Sequence, residues 1–489
     1  MARTAWWSWS ALAMLGSLGL AFSQETAPSP QPASRVEPGG VLTGGDHFLP
    51  INLPSALQLA DARGLDIAVA SERLRIAAAQ LEHANTLWLP TILLGTDYGR
   101  HDGKIQDIAG NVTDASKSNF LLGAGPFAVF AISDAIFAPL SARQVVQARQ
   151  AGVQAAANDT LLSVAEAYFT VQQARGELAG AREAVRLAEE LVGRTQQVYD
   201  QGRAPQVEVA RARTELYGRR QAVNLARERW RVASADLVRL LRLDAAAVVD
   251  PVEPPHLQVT LVPLDRPVDD LIPVGLTNRP ELAAQQAIVR ATLEQLRQER
   301  LRPLVPSILL RGASTNVTGT LAGGYFGGGR NDNLNEFGAR GDFDLQVLWE
   351  LQNLGFGNRA RINERRAENQ LAILESLRLQ DRVAAEVTQA YAQGQEAAAR
   401  VGDAQSEVRD AILSVNGNLS GVKEVKRVGN LDILVIRPQE VVASIKALAD
   451  AYNHYYGAVA DFNRAQFRLY HAMGQPAQLI LNGCLLPPN

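Results

Sequence analysis

The chain has 489 residues, with 48 basic and 51 acidic side chains, a net charge of −3 and only 6% aromatic residues. Balanced charge without a basic block excludes a nucleic-acid-binding surface. A single cysteine, Cys484, and six histidines exclude a disulfide framework and a multi-cysteine metal site within one chain.

The N-terminus has the layout of a secretory signal over residues 1–23. Arg3 is the positive region, Ala11 to Phe22 the apolar core, and Ala21-Phe22-Ser23 the small-x-small cleavage site. The core is short for a membrane anchor. No cysteine follows it, so the exported protein is expected not to be N-terminally lipidated. Residues 24–52 carry Pro28, Pro30, Pro32 and Pro38 without periodicity and are expected to form a linker.

A helix is predicted from Leu53-Pro54 to Trp88, with Leu57, Ala60, Leu65, Ala68, Ile76 and Ala79 along one side. Period-two alternation through Ile92, Leu94, Thr96 and Tyr98 then predicts a strand over about 90–101. Residues 100–118 are polar and suggest a loop, and 119–133 a second strand.

A helical hairpin is expected over 140–243. Leu161, Val164, Tyr168, Val171, Ala174, Leu178, Ala181, Val185, Ala188 and Val192 recur at a period close to 3.5, that of a supercoiled helix. Gln201-Gly202-Arg203-Ala204-Pro205 ends the outgoing arm. The chain returns with Val209, Leu216, Val223, Trp230 and Leu237 at seven-residue spacing. At 1.5 Å per residue the outgoing arm spans roughly 90 Å, far beyond what a globular domain needs.

After a proline-rich linker at 249–273 the pattern repeats over 274–476, before a tail at 477–489. Leu89-Pro90-Thr91-Ile92 is echoed by Val305-Pro306-Ser307-Ile308, and Ala167-Tyr168 by Ala390-Tyr391. The return heptad is echoed by Leu434, Val441, Leu448, Tyr455, Phe462 and Leu469. Echoes in constant order mark a tandem duplication with repeats at 53–248 and 274–476. The second repeat is expected to hold strands at about 305–315 and 335–350 and a helical hairpin at 357–473. The glycine run Gly323 to Gly329 suggests a loop between those strands, because no helix follows it to make a phosphate cradle.

The clearest alternation places Phe337, Ala339, Gly341, Phe343, Leu345, Val347 and Trp349 on one face and charged or small residues on the other. Its length suits a transmembrane barrel strand, with Phe337, Phe343, Leu345, Val347 and Trp349 facing lipid. Two strands per repeat give four per chain, too few to close a barrel alone, so the chain is expected to oligomerise.

This layout resembles the TolC-like outer membrane efflux protein family. The resemblance rests on Ala167-Tyr168 and Ala390-Tyr391 in the rising helices, and on Gly202 and Val428-Gly429 at the helix turns. It extends to the closing Leu469-Tyr470-His471-Ala472-Met473-Gly474 and to the junction Trp349-Glu350-Leu351-Gln352-Asn353-Leu354-Gly355-Phe356-Gly357. It implies a mainly α fold with β: a transmembrane β-barrel continuous with a long periplasmic α-helical coiled-coil barrel, in a homotrimer. It further implies a passive outer membrane channel without enzymatic activity or cofactor. Its partners would be a periplasmic adaptor (a membrane fusion protein), an inner membrane transporter and outer membrane lipid, and its cargo drugs, metal ions or secreted products. The turns would form periplasmic tips for adaptor docking, at Gly202, Arg203, Val428 and Gly429. Asp432 and Glu440 are the carboxylates in the stretch just after the second tip and the candidates for a tunnel gate, and Pro438 interrupts or restarts the helix there. The competing reading is a periplasmic coiled-coil structural or adaptor protein without a pore, which would need no lipid-facing strand. His454, without a second ligand at metal spacing, is expected in a packed seam.

Overall fold

The computed structural model describes residues 47–475, except 312–322, 331–332, 342–343, 423–424, 429–430 and 435. At 125–129, 310–311, 425–428 and 431–434 it describes the backbone only. The signal segment, Cys484, Phe343 and Gly429 therefore lie outside the described residues.

Each repeat contributes two antiparallel strand positions to one sheet. β2 (Thr91–Gln106) and β3 (Val112–Ala131) form a hairpin closed by a turn in which Asp107 accepts from the Asn111 and Gly110 backbone. Residues 100–118, expected as a loop, thus mostly continue the two strands. Their polar side chains do not oppose pairing, because Arg100, Asp102 and Ser116 satisfy one another across the hairpin.

β5 (Ser307–Arg311) and β6 (Gly323–Arg330) lie one after the other along β3. β7 (Glu336–Gly341) pairs with β6, and β8 (Asp344–Leu348) with β5. The sheet therefore has four strand positions: β2, β3, β5 with β6, and β8 with β7. The glycine run, expected as a loop, is strand β6. A Cβ at Gly327 would lie 2.2 Å from the Phe337 ring, so glycine leaves the room in which that ring crosses the strand.

The helices leave one end of this sheet. Ser307 stands opposite both Ala131 and Leu348, and Thr91 opposite Phe127, four positions from Ala131. The chain enters β2 from α2 (Leu65–Asn85) and leaves β3 into α3 (Ile132–Asp200). It enters β5 from α6 (Pro280–Leu301) and leaves β8 for α7 (Phe356–Gly421). α3 begins before Leu140 and carries Pro139 as its eighth residue, where the ring forfeits the bond an N–H would make to the Ala135 carbonyl without ending the helix. At 69 and 66 residues, α3 and α7 are each about 100 Å long.

Neither long helix has one partner along its whole length. Near the sheet α3 packs on α2 and α6, and α7 on α6. Farther away α4 (Gln206–Leu241) and α8 (Pro438–Ala472) take over, and α8 also packs against α3. The seams lie where the periodicity puts them. Val164, Tyr168, Val171, Leu178 and Ala188 are buried on α3, Leu237 on α4, and Val441, Leu448 and Leu469 on α8. Leu434 departs from this pattern by belonging to strand β10. Gly176 and Gly180 form a notch on α3 in which Tyr456 and Tyr452 of α8 rest. A Cβ at either glycine would come within 2.8 Å of those rings.

A belt of short elements wraps the midpoint. β1 (His47–Ile51) pairs in parallel with β4 (Ala247–Pro251), so the expected linker at 24–52 ends in a strand. α1 (Leu53–Arg63) follows, and α5 (Val268–Asn278) forms inside the region expected as a second linker, leaving 252–267 as an extended strap. The strap is held by buried side chains rather than by a ladder. Asn463 Oδ1 accepts from the Val259 N–H at 2.8 Å, and Gln466 Oε1 from the Leu261 and Val262 N–H groups at 3.0 and 2.9 Å. Trp230 Nε1 donates to the Val249 carbonyl at 2.9 Å. Amides on a strap that cannot pair as a strand are thereby satisfied inside the core.

Candidate functional site

The strand registers join the four positions into two chemically distinct faces. Paired residues in an antiparallel ladder point to the same side. Ile92, Leu94 and Tyr98 therefore share a face with Phe120 and Leu122 of β3, Tyr325 of β6, Ile308 of β5, Phe337 and Ala339 of β7, and Leu345 and Val347 of β8. Leu94 is 79% exposed, and Ile92, Tyr98, Phe337, Leu345 and Val347 are exposed as well. On this face Tyr325 and Phe337 stack with centroids 5.5 Å apart.

The opposite face carries Asp97, Asn119, Glu336, Arg340, Asp344 and Gln346 among glycines, with Leu121 and Phe326 beside them and Leu93, Leu309 and Leu348 toward the helix end. The Arg340 guanidinium lies 5.1 Å from the Phe326 ring centroid. An apolar side continuous across every strand position, backed by a polar one, is what a wall between lipid and water requires. Single-strand alternation showed this at 337–349 and, over a shorter stretch, at 92–98. The faces of β2, β3, β5 and β6 became one surface only through register.

The far ends of the helix pairs differ from each other. At the first, Gly202 has φ +72, its N–H reaches the Tyr199 carbonyl at 2.8 Å, and the Arg203 N–H reaches the Val198 carbonyl at 3.0 Å. These two bonds make a Schellman ending, and the left-handed residue is the glycine that tolerates it. The Arg203 side chain reaches Gln201 Oε1 at 3.3 Å.

The second end is not a tight turn. Between α7 and α8 the chain forms β9 (Val425–Val428) and β10 (Leu431–Leu434), antiparallel, with Asp432 opposite Arg427. Val428 closes β9 opposite Leu431, and Gly429 lies outside the described residues. Glu440 is exposed in the first turn of α8, which Pro438 starts. Asp432 and Glu440 are thus placed on different elements, a strand and a helix. Val425-Lys426-Arg427-Val428 puts one apolar and one basic residue on each face, so period-two alternation carried no signal for this strand pair.

The densest polar network in the helical region is centred on Arg279, which is 5% exposed at the start of α6. Its Nη2 donates to Glu386 Oε2 at 2.6 Å, its Nε faces Glu281 Oε2 at 3.2 Å, and its Nη1 lies 3.3 Å from His471 Nδ1. Because Nη1 can only donate, His471 Nδ1 accepts, and Nε2–H donates to Asp159 Oδ1 at 2.7 Å. Asp159, Glu281 and His471 have ligand atoms within 4.8 Å of one another. The guanidinium already supplies the compensating cation, so the cluster is an ion-pair network tying α3, α6, α7 and α8 together. His454, expected in a packed seam, is exposed and lies 3.2 Å from Glu407 on α7. Its position on α8 points between the helices at their rim.

Tyr168 and Tyr391, the repeated tyrosines of the rising helices, hold the midpoint belt. The Tyr168 hydroxyl donates to Glu253, whose other oxygen accepts from the Leu53 N–H at 2.8 Å and so caps α1. The Tyr391 hydroxyl lies 3.3 Å from the Leu264 carbonyl. Burial, and after it the Glu253 bond, pushes the Tyr168 hydroxyl far above the usual tyrosine range.

The family of outer membrane efflux proteins matches residues 56–241, which run from α1 to the end of α4. Residues 56–241 are thus similar to outer membrane efflux proteins. The fold of the chain is that of outer membrane channels already solved. The outer membrane protein VceC of Vibrio cholerae superposes with a TM-score of 0.68 at 16% identity, covering 86% of this chain and 96% of that one. The CmeC outer membrane channel of Campylobacter jejuni gives 0.65 at 14% identity, covering 89% and 90%. The open state of the MtrE outer membrane channel of Neisseria gonorrhoeae gives 0.66 at 16%, covering 86% and 89%. No curated protein matches the sequence significantly. Among the described residues, no helix is long and apolar enough to cross a membrane.

Proposed function

We propose that three copies of this chain close a twelve-stranded outer membrane barrel, four strand positions from each, continuous with a periplasmic tunnel of helices. Through it substrates pass passively from a periplasmic adaptor and an inner membrane transporter to the exterior. The observation that carries this reading is the apolar face that register makes continuous across all four strand positions. A periplasmic coiled-coil protein without a pore would gain nothing from that face and would aggregate through it.

Open sheet edges are not tolerated in lipid, and four strand positions fall short of the roughly eight of the smallest single-chain barrels. β2 at one edge and β7 with β8 at the other are free to pair with neighbouring copies. The polar face, with Asp97, Glu336, Arg340 and Asp344, would then line the water-filled side. Gly202, Arg203, Val428 and Gly429 would stand at the periplasmic tips for the adaptor. Asp432 and Glu440, which follow the second tip, would be the carboxylates of a gate at the tunnel's closing end.

The test is mass by light scattering in detergent followed by conductance in planar bilayers. A trimer giving discrete conductance steps is expected. A monodisperse monomer, or a trimer that never enters a bilayer, would end the channel reading.

A further inference from the structure

Three basic side chains stand in one line across the sheet. His101 of β2 lies opposite Lys117 of β3, and Lys117 lies opposite Arg330 of β6. All three therefore belong to the polar face, side by side on strands that run about 5 Å apart. Like charges placed directly opposite each other weaken a ladder. Elsewhere in this hairpin charges are answered. Arg100, Asp102 and Ser116 satisfy one another on the other face, and Asp107 accepts from Asn111 at the turn.

The line of three is not answered. Lys117 and Arg330 are exposed and form no ion pair among the described residues. His101 is half-buried, and its Nε2 is covered without a hydrogen-bond partner among them. Glu336, the nearest carboxylate by register among the described residues of this face, stands one rung inward, opposite Gly328, and pairs with none of the three. The neighbouring rungs are short. Gly103 and Ala115 face each other on the outer side, and Gly99 and Gly328 flank Asn119 on the inner side. A Cβ at Gly99 would lie 2.4 Å from Asn119 Oδ1, so that amide crosses the strand and leaves the cations standing clear.

The line also has a definite level. The apolar face ends at Tyr98, Phe120 and Phe337, and its next rung is Arg100 with Ser118. From Thr91, at the helix end, to His101 the strand runs roughly 33 Å, past an apolar band about 25 Å tall. The three basic residues thus stand at the mouth of the sheet farthest from the helices.

We propose that His101, Lys117 and Arg330 form an anion-binding rung at the outer mouth of the barrel, and that the cargo it passes carries phosphate or carboxylate groups. The proposal rests on the channel reading and adds to it the class of cargo. Two permanent cations from each of three copies, six in all, would ring one water-filled mouth. A mouth lined by one sign of charge raises the local concentration of counter-ions. An anion lying between β3 and β6 can accept charge-assisted bonds from Lys117 and Arg330 together. Lipid headgroups share this chemistry, but the rung lies on the face turned away from the apolar side, so the occupant is a solute.

Inorganic pyrophosphate is the probe. Titrated calorimetrically into the detergent-purified oligomer at low ionic strength, it should bind the parent. It should bind the double variant Lys117→Gln, Arg330→Gln roughly tenfold more weakly. Lys104 belongs to the same hairpin but to the opposite face, so Lys104→Gln should bind as the parent does. In planar bilayers under a salt gradient, the reversal potential of the double variant should move toward cation preference, in zwitterionic and in anionic lipid alike.

A parent oligomer that binds no pyrophosphate, or a double variant that binds it as the parent does, would overturn the rung and leave the channel standing. So would an equal loss in Lys104→Gln, or a shift in reversal potential seen only with anionic lipid. A chain that stays monomeric in detergent would overturn both.

Discussion

Tyr168 shows how one side chain in this chain serves two elements. Its ring fills the centre of the core beside Phe169, and its hydroxyl holds the Glu253 carboxylate that caps α1. Tyr168→Phe should lower stability by about 1 kcal/mol in denaturant unfolding near neutral pH, the usual net worth of such a bond. The pH dependence has a definite sign. The folded-state value lies above the ordinary one near 10, so this tyrosine's contribution is complete below pH 10 and is lost as pH rises beyond it. Tyr470, pushed up to about 12 by burial, adds the same trend. Melting temperatures taken between pH 9 and 12 should fall more steeply in the parent than in Tyr168→Phe. Glycines give a second contrast at this scale. Gly202 has open space around it but a left-handed backbone, so Gly202→Ala should cost about 1 kcal/mol. Gly218 is exposed within α4 with equally open space, so Gly218→Ala should stabilise by roughly 0.5–1 kcal/mol. Equal destabilisation in both would show that space, not φ, governs these sites.

At the scale of elements, the sheet makes the sharpest demand on individual positions. Val347 lies on the continuous apolar face, whereas the adjacent Gln346 lies on the polar one. Val347→Arg should destabilise the bilayer-inserted protein by about 2–4 kcal/mol if it falls near the membrane midplane. Gln346→Arg should leave stability within about 0.5 kcal/mol and shift ion preference in conductance measurements. Equal effects on stability would mean that the two faces meet the same medium. Heptad spacing was enough to read the seams of α3, α4 and α8, because an apolar stripe must be buried whatever its partner is. The strands were legible only in part. Residues 100–118 read as a loop because their polarity was taken as exposure to solvent at a turn, whereas a strand rising beyond a membrane is polar on both faces. The glycine run read as a loop because glycine weakens an isolated strand. Phe337 crossing Gly327 reverses that argument, and no local window contains both residues.

For the whole molecule, the duplicated order of elements explains why two halves of differing sequence build one structure. The two sheet halves join through β3 with β5 and β6, and the two helical halves through α3 with α6 and α8. The Arg279 network ties the same halves at the end of α8. Arg279→Met, which leaves Glu386 and Glu281 without their cation, should lower the unfolding midpoint substantially, on the order of 3 kcal/mol. Arg279→Lys should recover part of this, since an ammonium cannot serve three partners with a planar fork.

The sequence by itself determined the long supercoiled helices, the tight first tip and the duplicated order, because periodicity and glycine or proline punctuation are local properties. It also marked two amphipathic strands, at 92–98 and 337–349. Only the tertiary structure decided that all four strand positions share one apolar face, since register is set between segments as far apart as Ile92 and Val347. It likewise decided that the second tip ends in a strand pair, with Asp432 and Glu440 on separate elements. Those outcomes depend on which backbone groups find partners across the fold, and no stretch of sequence carries that information alone.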